Sequence, residues 1–217
     1  MIKAVIFDLD GTLIDTELAA ARALEAWFKK WQLPLNPDDA QFVVGRAWNV
    51  VLNHLFSKVT LPMSHEEASR EILESYRLTL ENELPTVPGS VEAVRSLAKH
   101  YPLGLVSGSY RSQILWALGK LGILDQFQII LGAEDYAHSK PAPDGYLSAI
   151  KTLGVDAAAT LIFEDSTAGI ASGISAGARV VAITSTNHFS QNTAGAHHHI
   201  RDLQEVTAEW VRNLKKD

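Results

Sequence analysis

The chain has 217 residues, 47% of them hydrophobic and 20% charged, with a formal net charge of -6. This is the composition of a globular protein with a sizeable apolar interior, and its acidic balance gives no basic footprint for nucleic acid. The absence of cysteine excludes disulfides and thiolate metal sites, and no secretory apolar region or run of bilayer length is visible, so a cytoplasmic, membrane-free protein is expected and nothing demands more than a monomer.

Ala4 to Phe7 reads as a strand buried on both faces, halted by Asp8-Leu9-Asp10-Gly11-Thr12. Asp15-Thr16 offers a helix cap, and Leu18 to Trp31 carry apolar residues at helical spacing until Pro34 and Pro37 close the helix. The pattern then stays helical to about Thr86: Ala40 to Gly45, Ala47 to Lys58, and His65 to Glu83 behind a Ser64 cap. From Pro88-Gly89 the rhythm becomes strand and helix in alternation. Helices are expected at Ser90 to His100, Ser109 to Leu121, Pro143 to Leu153 and Thr167 to Ala176, and strands at Leu103 to Ser107, Gln128 to Gly132, Thr160 to Glu164 and Arg179 to Ile183. His197 to Ile200 is a weaker last strand and Thr207 to Lys215 a closing helix.

This alternation implies an α/β fold with a doubly wound parallel sheet. Residues 1–15 and 87–217 form the expected core, with a helical cap domain inserted at 16–86. The internal His197-His198-His199 triplet fits a polar edge strand better than a metal site, because successive strand residues point to opposite faces.

Taken alone, Asp8 and Asp10 are either turn formers ahead of Gly11 or functional carboxylates. In a parallel sheet the second reading gains company, since ligands bind beyond the carboxyl ends of the strands. Ser107-Gly108-Ser109 and Glu164-Asp165-Ser166 end two further strands, and Lys140 stands in the proline-stiffened Ser139-Lys140-Pro141-Ala142-Pro143. Asp8, Asp10, Glu164 and Asp165 would then crowd together, at a cost of roughly 4 kcal/mol for each like-charged pair near 4 Å. A hard divalent cation reverses that sign, and an all-oxygen site with few carboxylates favours Mg2+. Lys140 adds a fixed positive charge, and Ser107 with the N–H groups after it can donate to an anionic oxygen. The inventory suits a phosphoryl group, with one carboxylate as nucleophile and a second moving protons.

These residues resemble the haloacid dehalogenase superfamily, specifically the branch with a small helical cap that contains β-phosphoglucomutase and sugar-phosphate phosphatases. The similarity covers nearly the whole chain: Asp8-Leu9-Asp10-Gly11-Thr12, Ser107, Lys140-Pro141-Ala142-Pro143-Asp144 and Glu164-Asp165-Ser166-Thr167-Ala168-Gly169, in that order. The resemblance implies Asp8 as nucleophile, Asp10 as general acid/base, and Mg2+ held by Asp8, the Asp10 carbonyl and Asp165, with Glu164 as ligand or tuner. It also implies that Ser107 and Lys140 bind the phosphoryl group of a small phosphorylated metabolite, a sugar phosphate being one candidate; Gly108 and Ser109, whose N–H groups follow Ser107, are candidate substrate contacts.

Substrate choice is expected in the cap. Arg46, after Gly45, stands where related caps present an arginine to substrate, although a solvated helix-end arginine reads equally well. Glu17 and Arg111 are further candidate contacts, whereas Trp27, Phe28, Trp31 and Trp48 read as cap core. Ser166 and Thr167 read as a helix cap. Mutases of this branch place a histidine four residues after the hinge threonine, Thr16 here; that position is Ala20, which favours hydrolysis over mutase chemistry. Asp10 counts against a dehalogenase. Phosphonate hydrolysis would need a cap lysine; Lys58 is the available candidate, but no signature supports it.

Overall fold

A computed structural model of the chain describes residues 1–36, 39, 48–188 and 190–214. Contacts divide it into two compact units, Met1–Ile14 with Thr86–Asp217, and Asp15–Pro85. The first unit is built on six parallel strands: β1 (Ala4–Phe7), β2 (Leu103–Val106), β3 (Ile129–Leu131), β4 (Thr160–Glu164), β5 (Arg179–Ile183) and β6 (His198–Ile200). Their order is β3-β2-β1-β4-β5-β6, so the first strand lies near the middle of the sheet. β1, β2 and β4 are buried throughout, which explains why they read as continuous apolar runs rather than as alternating ones.

The architecture is that of a doubly wound, Rossmann-like α/β fold with helices between parallel strands. Tight register brings the strand ends level: Phe7 pairs with Phe163 and with Leu105, and Val106 pairs with Leu131. Asp8 N–H continues the ladder by donating to the Phe163 carbonyl at 3.0 Å, and Ser107 N–H does the same to Leu131 at 3.0 Å. Side chains alternate along a strand, so Asp8 and Glu164 lie on the same face as Ile6 and Ile162. That face packs against Tyr146, Ala149 and Ile150 of α6 (Asp144–Leu153) and Ile170 of α7 (Thr167–Ser175). The other face carries Phe7 stacked on Phe163, 5.0 Å between centroids.

The second unit contains α1 (Thr16–Lys30), α2 (Trp48–Phe56) and α3 (His65–Asn82). Its caps are the ones legible in the chain: Asp15 accepts from Leu18 N–H, and Ser64 forms a reciprocal capping box with Glu67. Trp27 and Phe28 are buried here together with Phe56, and their rings meet edge-on at 5.3 Å. Trp48 stands 5.2 Å from Tyr76. These aromatics are packing groups, in keeping with the sequence reading. The expected helix at Ala40 to Gly45 lies outside the described residues.

In the first unit, α4 (Ser90–Ala98), α5 (Arg111–Leu121) and α8 (Ala208–Asn213) complete the helices. One boundary differs in an informative way. The helix expected from Ser109 begins at Arg111, because Ser109 is drawn into a turn where its hydroxyl binds Asp10. At the sheet edge, His197 Nδ1 accepts from Val180 N–H, and His199 Nε2 lies 2.9 Å from the Thr193 carbonyl. Among the described residues, no helix is long and apolar enough to cross a membrane.

Candidate active site

The carboxyl ends of β1, β2 and β4 deliver Asp8, Ser107 and Glu164 side by side, and the loop before α6 brings Lys140 among them. Lys140, preceding a cis bond to Pro141, donates to Asp8 Oδ1 at 2.5 Å, to Glu164 Oε1 at 2.6 Å and to the Val106 carbonyl at 3.3 Å. Asp8 is 5% exposed and Glu164 0%. One buried ammonium therefore serves two buried carboxylates.

The two do not share it equally. Glu164 Oε1 also accepts from the Tyr146 hydroxyl at 3.0 Å, while Oε2 accepts from Asp165 N–H, Ser166 N–H and Ser166 Oγ at 2.9, 2.9 and 3.0 Å. Burial pushes the Glu164 carboxyl up, but Lys140 and these donors outweigh it and hold the group below the usual range. Asp8 goes the other way: burial and then the charges of Glu164 and Asp10 push it well above the usual range, against the pull of Lys140. Flanked by both carboxylates, Lys140 stays charged well above an ordinary lysine in spite of its burial.

Asp10 faces the β2 loop. Its Oδ2 accepts from Ser109 Oγ at 2.7 Å and from Ser107 Oγ at 3.3 Å, while Ser109 N–H donates to Ser107 Oγ at 3.0 Å. The Tyr136 hydroxyl holds the Ser107 carbonyl at 2.8 Å. Gly108 is exposed beside them, with open space where a Cβ would project.

Two glycines let the carboxylates come this close to backbone. Gly11 has φ +82°, and a Cβ there would lie 2.2 Å from Asp165 Oδ2; a side chain is excluded both by conformation and by space. At Gly169, in the first turn of α7, a Cβ would fall 1.6 Å from Glu164 Oε1. Ser166 caps this helix by accepting from Gly169 N–H at 3.0 Å, as expected, whereas Thr167 is its first residue and donates from N–H and hydroxyl to Gln191 Oε1 rather than capping.

Asp8, Glu164 and Asp165 each offer an oxygen within 4.8 Å of the others. A hard divalent cation fits this set: the donors are all carboxylate oxygens, and among the described residues the one ammonium bound to them, Lys140, leaves the cluster negative charge to spare. Both Glu164 oxygens are already taken by other donors.

The structure thus brings together Asp8, Asp10, Ser107, Ser109, Lys140, Glu164 and Asp165. Arg111 is occupied elsewhere: its guanidinium binds the Ile130 carbonyl and lies 3.4 Å from Asp135, while its N–H donates to Glu134. These bonds tie the start of α5 to the end of β3. Arg46 lies outside the described residues, and so does the side chain of Glu17, which stands in the first turn of α1. Lys58 pairs with Asp39, whose Oδ1 is also 3.3 Å from His54 Nε2.

Three participants were not singled out in the sequence: Tyr136, Tyr146 and Thr186, whose hydroxyl donates to the Gly11 carbonyl at 2.6 Å. Tyr146 repeats with Ala149 and Ile150 on the buried face of α6 and so reads as core. Only the phenol, which needs a partner when buried, hints at more.

The family model of haloacid dehalogenase-like hydrolases matches residues 5–183. Validoxylamine A 7'-phosphate phosphatase of Streptomyces hygroscopicus subsp. limoneus is 32% identical over 95% of this chain and 96% of its own. The 6-phosphogluconate phosphatase of Escherichia coli (strain K12) is 29% identical over 82% of this chain and 81% of its own. In fold, the chain is similar to a putative β-phosphoglucomutase from Thermotoga maritima, with a TM-score of 0.85 at 24% identity, covering 98% of this chain and all of the other. With these motifs in these positions, the chain belongs to the family of haloacid dehalogenase-like hydrolases.

Proposed function

We propose that this protein is a Mg2+-dependent phosphatase that hydrolyses a small phosphorylated metabolite, a sugar phosphate being the favoured class, through a phosphoryl group carried on Asp8. The observation that carries the reading is the shared ammonium: Lys140 lies 2.5 Å from Asp8 Oδ1 and 2.6 Å from Glu164 Oε1. A cation at that point can hold a phosphoryl oxygen beside the attacking carboxylate. Relatives along most of the chain that are named as phosphatases of phosphorylated polyols and sugar acids support the substrate class.

Asp8 attacks phosphorus, the bond to the leaving oxygen breaks, and Asp10 gives that oxygen a proton. Water then attacks the acyl phosphate with Asp10 as base, releasing phosphate and restoring Asp8. Ser107 and Ser109 hold the Asp10 carboxylate through the Oδ2 contacts above, and the N–H of the exposed Gly108 is placed to donate to a phosphoryl oxygen. Asp8 and Asp165, with the Asp10 carbonyl that the family resemblance adds, would hold the metal, while Glu164 orients Lys140. Mg2+ in that place supplies the positive charge that favours ionised Asp8 and offsets charge on the transferring group. The helical unit would act as the substrate-selecting cap. Ala20, where mutases of this branch carry histidine, supports hydrolysis over a mutase reaction.

The test is a panel of phosphate esters assayed with and without Mg2+ for wild type and Asp8→Asn. Phosphate release should fall by about 10³-fold or more in the variant and vanish with chelator. Undiminished turnover in either case would sink the mechanism.

A further inference from the structure

Tyr146 has no part in the chemistry above, yet it touches two of its groups. Its side chain is 0% exposed. Its hydroxyl donates to Glu164 Oε1 at 3.0 Å, and its ring centroid lies 5.0 Å from Lys140 Nζ. The same lysine reaches Asp8 Oδ1 and Glu164 Oε1. One aromatic residue therefore meets the carboxylate with its edge and the ammonium with its face.

We propose that Tyr146 is a positioning residue of this site, a clamp that fixes Glu164 and Lys140 together so that the ammonium is held against Asp8. The proposal rests on the phosphatase reading for its kinetic consequence, though the clamp itself is a matter of geometry. Lysine is a mobile point charge on a four-carbon stem, and three acceptors alone do not restrict it: Asp8, Glu164 and the Val106 carbonyl could be satisfied from a range of stem conformations. The tyrosine face closes one side of that range and favours a cation there. Its hydroxyl takes a second place on Glu164 Oε1 and, with the three donors on Oε2, keeps the carboxylate from swinging to draw the lysine away from Asp8.

The local backbone is built to allow this. Gly145 precedes the tyrosine, and a Cβ there would lie 2.8 Å from Val106 Cγ1. Glycine thus lets the first turn of α6 settle onto β2 and brings Tyr146 beneath the strand ends. Burial first, and the nearby Glu164 charge second, raise the phenol well above its usual range, so it remains a neutral donor. A phenylalanine would fill the same volume for packing alone, without a hydroxyl to satisfy.

Tyr146→Phe separates the two roles, because it keeps ring and volume and removes only the donor. With p-nitrophenyl phosphate and Mg2+, kcat should fall about tenfold while KM stays within about twofold, the size expected for one lost hydrogen bond to a charged group. In the metal-free protein, the ¹⁵Nζ signal of Lys140 should shift and its ammonium protons should exchange with water several-fold faster. Unchanged kcat together with an unchanged Lys140 signal would overturn the clamp. So would a loss that appears only as a lower melting temperature, which would make Tyr146 a packing residue. If wild type itself released no phosphate, the phosphatase reading would fail, and the Lys140 signal alone would still decide the clamp.

Discussion

Each unit of the molecule contains a glutamate surrounded by donors, and the two put it to different use. In the helical unit, Glu71 Oε2 accepts from Trp27 Nε1 at 2.9 Å, Trp31 Nε1 at 3.1 Å and Lys30 Nζ at 3.0 Å, which pins α3 to α1. In the α/β unit, Glu164 accepts from Lys140, Tyr146, Ser166 and the Asp165 N–H. Both carboxyls sit below their usual range, Glu71 through its bonds to Lys30, Trp31 and Trp27. What differs is the rest of the surroundings. Glu71 is partly exposed and no second carboxylate competes for the three donors on its Oε2. Glu164 is buried beside a second carboxylate with which it shares one cation, and Asp8 is left with its proton affinity raised. An unmet electrostatic demand, rather than the number of hydrogen bonds, separates the proposed reactive cluster from the structural one.

The comparison breaks most readily at Lys140. Lys140→Met should leave Asp8 and Glu164 buried without their cation and cost about 3–5 kcal/mol in the metal-free protein, besides abolishing turnover. Mg2+ should then raise the melting temperature of the variant by more than it raises that of wild type, since the ion would be the remaining counter-charge. Equal melting temperatures for variant and wild type without metal would show that the two carboxylates do not depend on the lysine.

Gly169→Ala tests whether the glutamate needs its cradle. With a Cβ directed onto Glu164 Oε1, and that carboxylate held by donors on both oxygens, the strain should cost about 2–3 kcal/mol. Denaturant titration would read the stability, and phosphate release the displacement of Lys140. Full retention of both would mean that Glu164 moves freely and orients nothing.

The smallest effect belongs to the helical unit. Glu71→Gln should lower the melting temperature slightly at neutral pH and leave turnover per folded molecule unchanged. Because the folded carboxyl titrates below its unfolded value, its contribution is present above the ordinary glutamate range and is lost as pH falls through the folded pKa. Melting curves from neutral to acid pH should therefore converge for wild type and variant on the acid side. Curves that stay parallel throughout would remove the charge from the account of how α1 meets α3.

Much of this could be read from residue order. β1, β4 and β5 occupy the ranges that their apolar runs indicate, because a doubly buried strand has no other pattern to show. The caps at Asp15, Ser64 and Ser166 were legible for a similar reason: a side-chain oxygen satisfies an N–H three residues away. Helix ends were less so. The start of α5 moved from Ser109 to Arg111 because Ser109 binds a residue 99 positions earlier. Arg111 reads as one candidate contact by its place after Ser107; its guanidinium binds the Ile130 carbonyl of β3 and lies near Asp135, a pairing no local pattern announces.

By itself, then, the sequence determined the alternation of strand and helix and the polar residues that end each strand, since both follow from spacing within a few residues. The family likeness rests on those same short motifs. Only the tertiary structure decided the strand order and register that set Asp8 level with Glu164, and how one ammonium is divided between two carboxylates. It alone also shows that Tyr146 and Thr186 reach this site, across 18 and 175 residues to Glu164 and Gly11. Such contacts leave no periodicity in a chain. They depend on distances that exist only after the sheet has brought its strand ends together.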